Sequence, residues 1–297
     1  MSENGDSLMQ PEQGGAERAD APRRTWHLLG LAAAGFFLLG VIGGEAARII
    51  LPPALLAFVA IGTGVGFVAV SVAMVGLIAR LPLYWKARLQ LAVAFGIGSA
   101  AARVGAVLLS RNMFLELMGD LCLFIAAAFF GVLASRIIRE RNILVPVAFA
   151  AAAVDTFGVY WGPVAEIARR APHLVRQLSA AVPGSNIPEA PIPQLGYVGV
   201  GDFLFMGLFV AAVFRLGMNG RGTLWALFVA FLAVPGVFAV THLPALPGLV
   251  FLGLAVVAAN WRYFSFSRAE KFALLYAALA VAALIALAWG IEHMLRG

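Results

Sequence analysis

Four ionisable residues lie inside long apolar runs of this chain: Arg103, Asp120, Asp155 and Asp202. A charge at bilayer depth costs at least about 2.5 kcal/mol, so each needs a partner or a task. Asp155 sits in the middle of a run from Ala150 to Gly162, where Ala151, Asp155, Gly158 and Gly162 share one face at helical spacing. Small residues on that face let a second helix approach closely and keep the carboxyl group away from lipid. Taken alone, such an aspartate reads as a hydrogen-bonding strut between helices or as an acid that moves protons. Asp202 closes the run Tyr197-Val198-Gly199-Val200-Gly201-Asp202. Two glycines just before it loosen a helix and expose backbone, which suits a site where an unwound peptide must come near. Leu243-Pro244-Ala245-Leu246-Pro247 is a third feature. Its prolines oppose regular helix initiation and leave backbone groups unpaired, although proline also favours an ordinary helix start.

The elements that must carry these residues are set by the solvent. Of the 297 residues, 62% are hydrophobic and only 12% charged, about half the charged share of a soluble domain. With a mean hydropathy of +0.92, the chain has too little polar surface for a water-soluble globule of this size. In lipid, backbone polar groups must be satisfied internally, leaving helices or a closed barrel. Apolar runs rich in Ala, Leu and Gly, without period-2 alternation, specify helices. The expectation is an all-α polytopic membrane protein with about nine transmembrane helices. The spans fall near 27–42, 54–79, 89–110, 114–136, 143–167, 195–217, 222–241, 244–261 and 270–291.

Residues 1–24 read as a disordered polar tail, 25–142 as N-terminal transmembrane helices, 143–261 as the core bearing the aspartates, and 262–297 as a C-terminal transmembrane helix. The core includes one long loop, 168–194, interrupted by five prolines. Arg23-Arg24 before an apolar run resembles a signal sequence. The following Gly43-Gly44-Glu45-Ala46-Ala47 makes a poor cleavage site, so an uncleaved first helix is preferred. No internal repeat is visible, which weakens the case for an inverted-repeat transporter.

The net charge of +6 comes from basic residues scattered singly and in pairs. They read as topogenic residues at helix ends, with no nucleic-acid partner implied. If all nine helices span, most of them fall on one side, placing the N-terminus in the cytoplasm. Only Lys86 and Lys271 are lysines, a composition that suggests a prokaryotic cell membrane. Cys122 is the sole cysteine, so no intramolecular disulfide can form. No His/Glu cluster suggests a metal site, and no Gly-x-Ser-x-Gly motif suggests a serine protease. Arg103 and Asp120 lie on adjacent predicted helices and are expected to form a structural ion pair.

The order of the three features resembles the signature of presenilins and signal peptide peptidases: a mid-membrane Asp, Gly-x-Gly-Asp on the next helix, and Pro-Ala-Leu two helices later. Gly199-Val200-Gly201-Asp202-Phe203 also resembles the presenilin version in its Phe after the Asp. The resemblance covers 143–261. The chain departs from the family in having Val154 where Tyr usually precedes the first Asp. It also departs in carrying its aspartates on the fifth and sixth expected helices, not the sixth and seventh, with a further helix after Pro-Ala-Leu.

What the resemblance implies is an intramembrane aspartyl endopeptidase with Asp155 and Asp202 as the catalytic pair. Gly199, Gly201, Pro244, Ala245 and Leu246 would shape the site around an unwound substrate. Two carboxyl groups a few ångströms apart share one proton, because both cannot ionise cheaply. One activates water while the other protonates the scissile carbonyl, without metal, cofactor or covalent intermediate. Thr156, Tyr160 and Thr241 are candidates for polar groups around the water. Substrates would be transmembrane-helix proteins or signal peptides in the bilayer; accessory subunits and self-association stay open. Two alternatives stand beside this reading. A proton-coupled transporter or channel can use the same carboxylates as a relay. A prepilin-peptidase-like protease also uses Gly-x-Gly-Asp, but Pro-Ala-Leu after the second Asp argues against it.

Overall fold

Apolar runs of this length bury their backbone polarity by closing i to i−4 hydrogen bonds, and helices dominate the structure. A computed structural model of the protein describes residues 13–46, 52–109, 112–162, 177–183, 197–241 and 246–276, together with 166, 170, 279 and 283. The long elements in chain order are α1 (Gln13–Ala46), α2 (Pro53–Arg80), α3 (Trp85–Leu108), α4 (Met113–Ala134), α5 (Leu144–Tyr160), α6 (Val200–Arg215), α7 (Gly220–Thr241) and α8 (Gly248–Asn260). Between α5 and α6, strands β1 (Ser179–Ala181) and β2 (Tyr197–Gly199) pair antiparallel.

Among the described residues, five segments are long and apolar enough to cross a membrane: Arg23–Ala46, Ala54–Arg80, Trp85–Leu108, Met113–Ile137 and Arg141–Tyr160. Leu31, Phe58, Ile97 and Val107 stand exposed on the outside of α1–α3. Apolar surface of that extent is compatible with a membrane protein. α1 begins at Gln13, inside the stretch expected to be a polar tail. Ala16, Glu17, Arg18, Ala19 and Ala21 are mostly strong helix formers and carry the helix back from the apolar run.

The later helices are shorter than their apolar runs. α6 has 16 residues and α8 has 13, lengths of about 24 and 20 Å against a hydrocarbon thickness of about 30 Å. Both start late for local reasons. Residues 197–199 are extended in β2, and Pro247, which lacks an N–H, precedes the first turn of α8. The expected spans at 195–217 and 244–261 are therefore each an extended or proline-bearing entry followed by a short helix. The two-stranded ribbon is a departure from the all-α expectation. Ser-Ala-Ala has no β preference, so tertiary contacts impose the strand.

The core is centred on α4 and α6. Phe124, Ala128, Phe129 and Val132 of α4 and Phe203, Met206, Phe209 and Val210 of α6 are all essentially inaccessible. The two backbones touch at glycines. A Cβ on Gly207 would lie 2.6 Å from the Ala128 carbonyl oxygen, and one on Gly131 would overlap the Leu204 carbonyl. Arg215 locks the far end of α6, donating to the carbonyls of Ser135 (2.5 Å) and Ile138 at the end of α4. α8 is fixed at its own far end by the fully buried Asn260. Its amide donates to Thr223 Oγ1 (2.7 Å), and its oxygen accepts from the Asn219 N–H (2.9 Å). α5 packs along α8 where a Cβ on Gly253 would sit 3.2 Å from the Ala148 carbonyl oxygen. Asn142 also clamps the Ser265 backbone through two hydrogen bonds of 2.7 and 3.1 Å.

Candidate active site

Asp202 is the third residue of α6, and its place follows from the glycines before it. Gly199 is the N-cap, with extended backbone angles. The Asp202 carboxylate turns back so that Oδ2 accepts the Gly199 N–H at 3.2 Å. This is the reach of an acidic side chain at a helix start toward an otherwise unpaired amide. The same carboxylate lies against a second helix start. A Cβ on Gly248, the first residue of α8, would overlap Asp202 Oδ1. Only glycine leaves room for the carboxyl group there.

Asp155 reaches the same point from the other side. It lies on α5, and its Oδ2 accepts the backbone N–H of Leu249, the second residue of α8, at 2.9 Å. Ala148 and Ala151, on the face that carries Asp155, are buried, while Val154 is 72% exposed and turned outward. The position just before Asp155 is thus directed away from the site. Two carboxyl groups from separate helices therefore converge on adjacent residues, Gly248 and Leu249, at the N-terminus of a third. The two groups are near enough to interact electrostatically. An N-terminus offers unpaired N–H donors and the positive end of the helix dipole, which favour negative charge. No Lys or Arg forms an ion pair with either aspartate among the described residues.

Beside this point lies an apolar cavity of about 320 Å³, walled by α2, α6, α7, α8 and the ribbon. Asp202, Tyr197, Leu246 and Gly248 line one side, and Gly64, Val68 and Ser71 of α2 line the other. The Ser71 hydroxyl is buried with no hydrogen-bond partner. The contribution of α2 was not read from sequence. Its signal was Thr63, Ser71 and the alternation Gly62-x-Gly64-x-Gly66 inside an otherwise apolar span.

Arg103 and Asp120 meet as expected, at 2.7 Å. They also hold the ribbon. Arg103 donates to the Ser179 carbonyl at 2.9 Å, and Asp120 Oδ2 accepts the Ala181 N–H at 3.0 Å. Of the other sequence candidates, Gly199 caps α6 and Gly201 is exposed, with open space where a Cβ would go. Leu246 lines the cavity, and Pro244 and Ala245 lie outside the described residues. Thr156 and Tyr160 do not line the cavity. Thr156 donates to its own helix at Ala152 (2.7 Å), and the Tyr160 ring packs on Trp161 at 5.6 Å. The side chain of Thr241 is outside the description. Among the described residues no group of three His, Cys, Asp or Glu side chains is placed to bind a metal. No family model, curated protein or solved structure matches the chain.

Proposed function

We propose that this chain is a multi-pass intramembrane aspartyl endopeptidase of the presenilin and signal peptide peptidase type. The observation that carries the proposal is the meeting of Asp155 and Asp202 at the first two residues of α8, directly after Pro-Ala-Leu-Pro. Two carboxylates in an apolar protein, brought together with no ion-paired Lys or Arg among the described residues, are expensive as structure and useful as chemistry. Bound water between them loses a proton to the ionised carboxylate and attacks the scissile carbonyl. The protonated carboxyl group donates to the carbonyl oxygen, and the tetrahedral intermediate then collapses as the amine leaves with a proton. The pair titrates as a unit, so the acid and base roles belong to the pair and not to one residue.

The substrate must unwind, because a transmembrane helix hides its amides in internal hydrogen bonds. The apolar cavity beside Asp202 suits hydrophobic side chains, and the extended β2 strand beside it suits an added strand. The exposed apolar faces of α1–α3 suit lipid.

The test is cleavage of fluorescent transmembrane-helix reporters by purified protein in lipid, with and without a transition-state-analogue inhibitor of aspartyl proteases. Cleavage inside the reporter helix, abolished by the inhibitor and by either Asp155→Ala or Asp202→Ala, is expected. Cleavage that survives either substitution would sink the mechanism. Ion flux without proteolysis would favour the transporter reading.

A further inference from the structure

We propose that Arg103 and Asp120 act together as a substitute for a β-strand, closing one edge of the ribbon so that an extended substrate adds only to the other, beside Asp202. The inference rests on the protease reading above and assigns both residues as positioning residues.

The register makes the case. Ser179 faces Gly199, Ala180 faces Val198, and Ala181 faces Tyr197. In an antiparallel pair, hydrogen-bonded and non-hydrogen-bonded residues alternate. The Val200 N–H bonds the Leu178 carbonyl at 3.0 Å, so backbone groups of 178 and 180 point toward β2. Those of 179 and 181 point away from it. These outward groups are the ones the ion pair takes: Arg103 donates to the Ser179 C=O and Asp120 accepts from the Ala181 N–H. A C=O at one position and an N–H two residues on are the pair that one residue of a parallel neighbouring strand would satisfy. A guanidinium and a carboxylate, held together at 2.7 Å, supply the same donor and acceptor. On β2 the outward groups are those of Tyr197 and Gly199, and the Gly199 N–H already points at Asp202. Tyr197 and Val198 border the cavity that also holds Asp202.

Arg103 is further tethered, its Nε donating to Ser99 Oγ at 3.4 Å while Ser99 Oγ donates to the Gly119 carbonyl at 2.8 Å. The cap is thus built from α3 and α4, next to the rigid α4–α6 core. It would fix the ribbon's height relative to the aspartates and hence which peptide bond of the substrate meets them.

The test replaces the pair by apolar residues of similar shape, Arg103→Met with Asp120→Leu. Replacing both members of a buried pair often leaves stability unchanged, unlike removal of one. Full-length protein in lipid would be followed by amide hydrogen exchange and by mass-spectrometric mapping of the cleaved bond in a transmembrane reporter. Exchange at 179–181 and 197–200 should quicken by about tenfold while the α4 and α6 amides stay protected. KM should rise by about tenfold with kcat changed less, and cleavage should spread to neighbouring bonds. The conservative pair Arg103→Lys with Asp120→Asn keeps a donor and an acceptor and should restore a single cleavage position. If the apolar variant does not fold, Arg103→Met with Asp120→Asn takes its place: it removes the donor to Ser179 while keeping an acceptor for Ala181, and exchange at 179–181 should again quicken. Unchanged exchange in the ribbon, or an unchanged cleavage position with faster exchange, would overturn the proposal. Exchange needs no proteolysis. If wild type cleaves nothing, the protease reading fails by itself, and faster ribbon exchange would still support the edge cap while unchanged exchange would end it.

Discussion

Among the described residues, Asp120 is buried and Asp155 and Asp202 are half-buried, and the two places hold their carboxylates in opposite ways. Asp120 is met by Arg103 and by the Ala181 amide, so its negative charge is balanced and its oxygens are occupied. Asp155 and Asp202 face each other's charge with one backbone N–H apiece, from Leu249 and Gly199. A balanced pair holds elements in place; an unbalanced pair is retained where a proton must be exchanged. The contrast teaches that burial of an acid in an apolar span is not itself a functional sign. The identity of its partners separates the two cases.

Five substitutions would break or sharpen this contrast. Asp155→Ala and Asp202→Ala should each lower reporter cleavage by about 10⁴-fold. Neither should lower the thermal unfolding midpoint, since each removes a repulsive partner; a large drop in midpoint would make these residues structural. Asp120→Ala should do the reverse. It removes the carboxylate that balances the Arg103 charge and should destabilise the fold by about 3 kcal/mol, read from denaturant unfolding in detergent. Gly248→Ala should cut the cleavage rate by about 100-fold with little change in stability, because the added methyl displaces Asp202 Oδ1. Gly207→Ala forces α6 away from the Ala128 carbonyl and should cost about 2 kcal/mol of stability. That effect should carry no change in which reporter bond is cut.

Much of this arrangement was legible in the residues. Arg103 and Asp120 announced themselves as opposite charges in adjacent apolar runs, and their pairing followed from the cost of leaving either alone. Asp155 and Asp202 stood out for the same reason, as did the prolines that delay α8. The ribbon was not legible, because Ser179-Ala180-Ala181 carries no strand signal and is held by side chains 61 and 76 positions earlier in the chain. The true lengths of α6 and α8 were hidden because hydropathy averages over the extended residues 197–199 and over Pro247, where helix geometry is absent. The role of Gly248 was hidden too. A glycine after a proline reads as a plain turn until another element's carboxylate is found against it.

The most direct test of the central claim, that Asp155 and Asp202 serve one reaction, is a double-mutant cycle on single-turnover cleavage. Asp155→Asn, Asp202→Asn and the double variant would be compared with wild type in the same lipid. Residues that act as one unit are strongly non-additive, so the double variant should be within about threefold of the slower single variant. A double variant that loses the product of the two single losses, or a single variant that keeps more than about a tenth of the wild-type rate, would contradict a shared dyad.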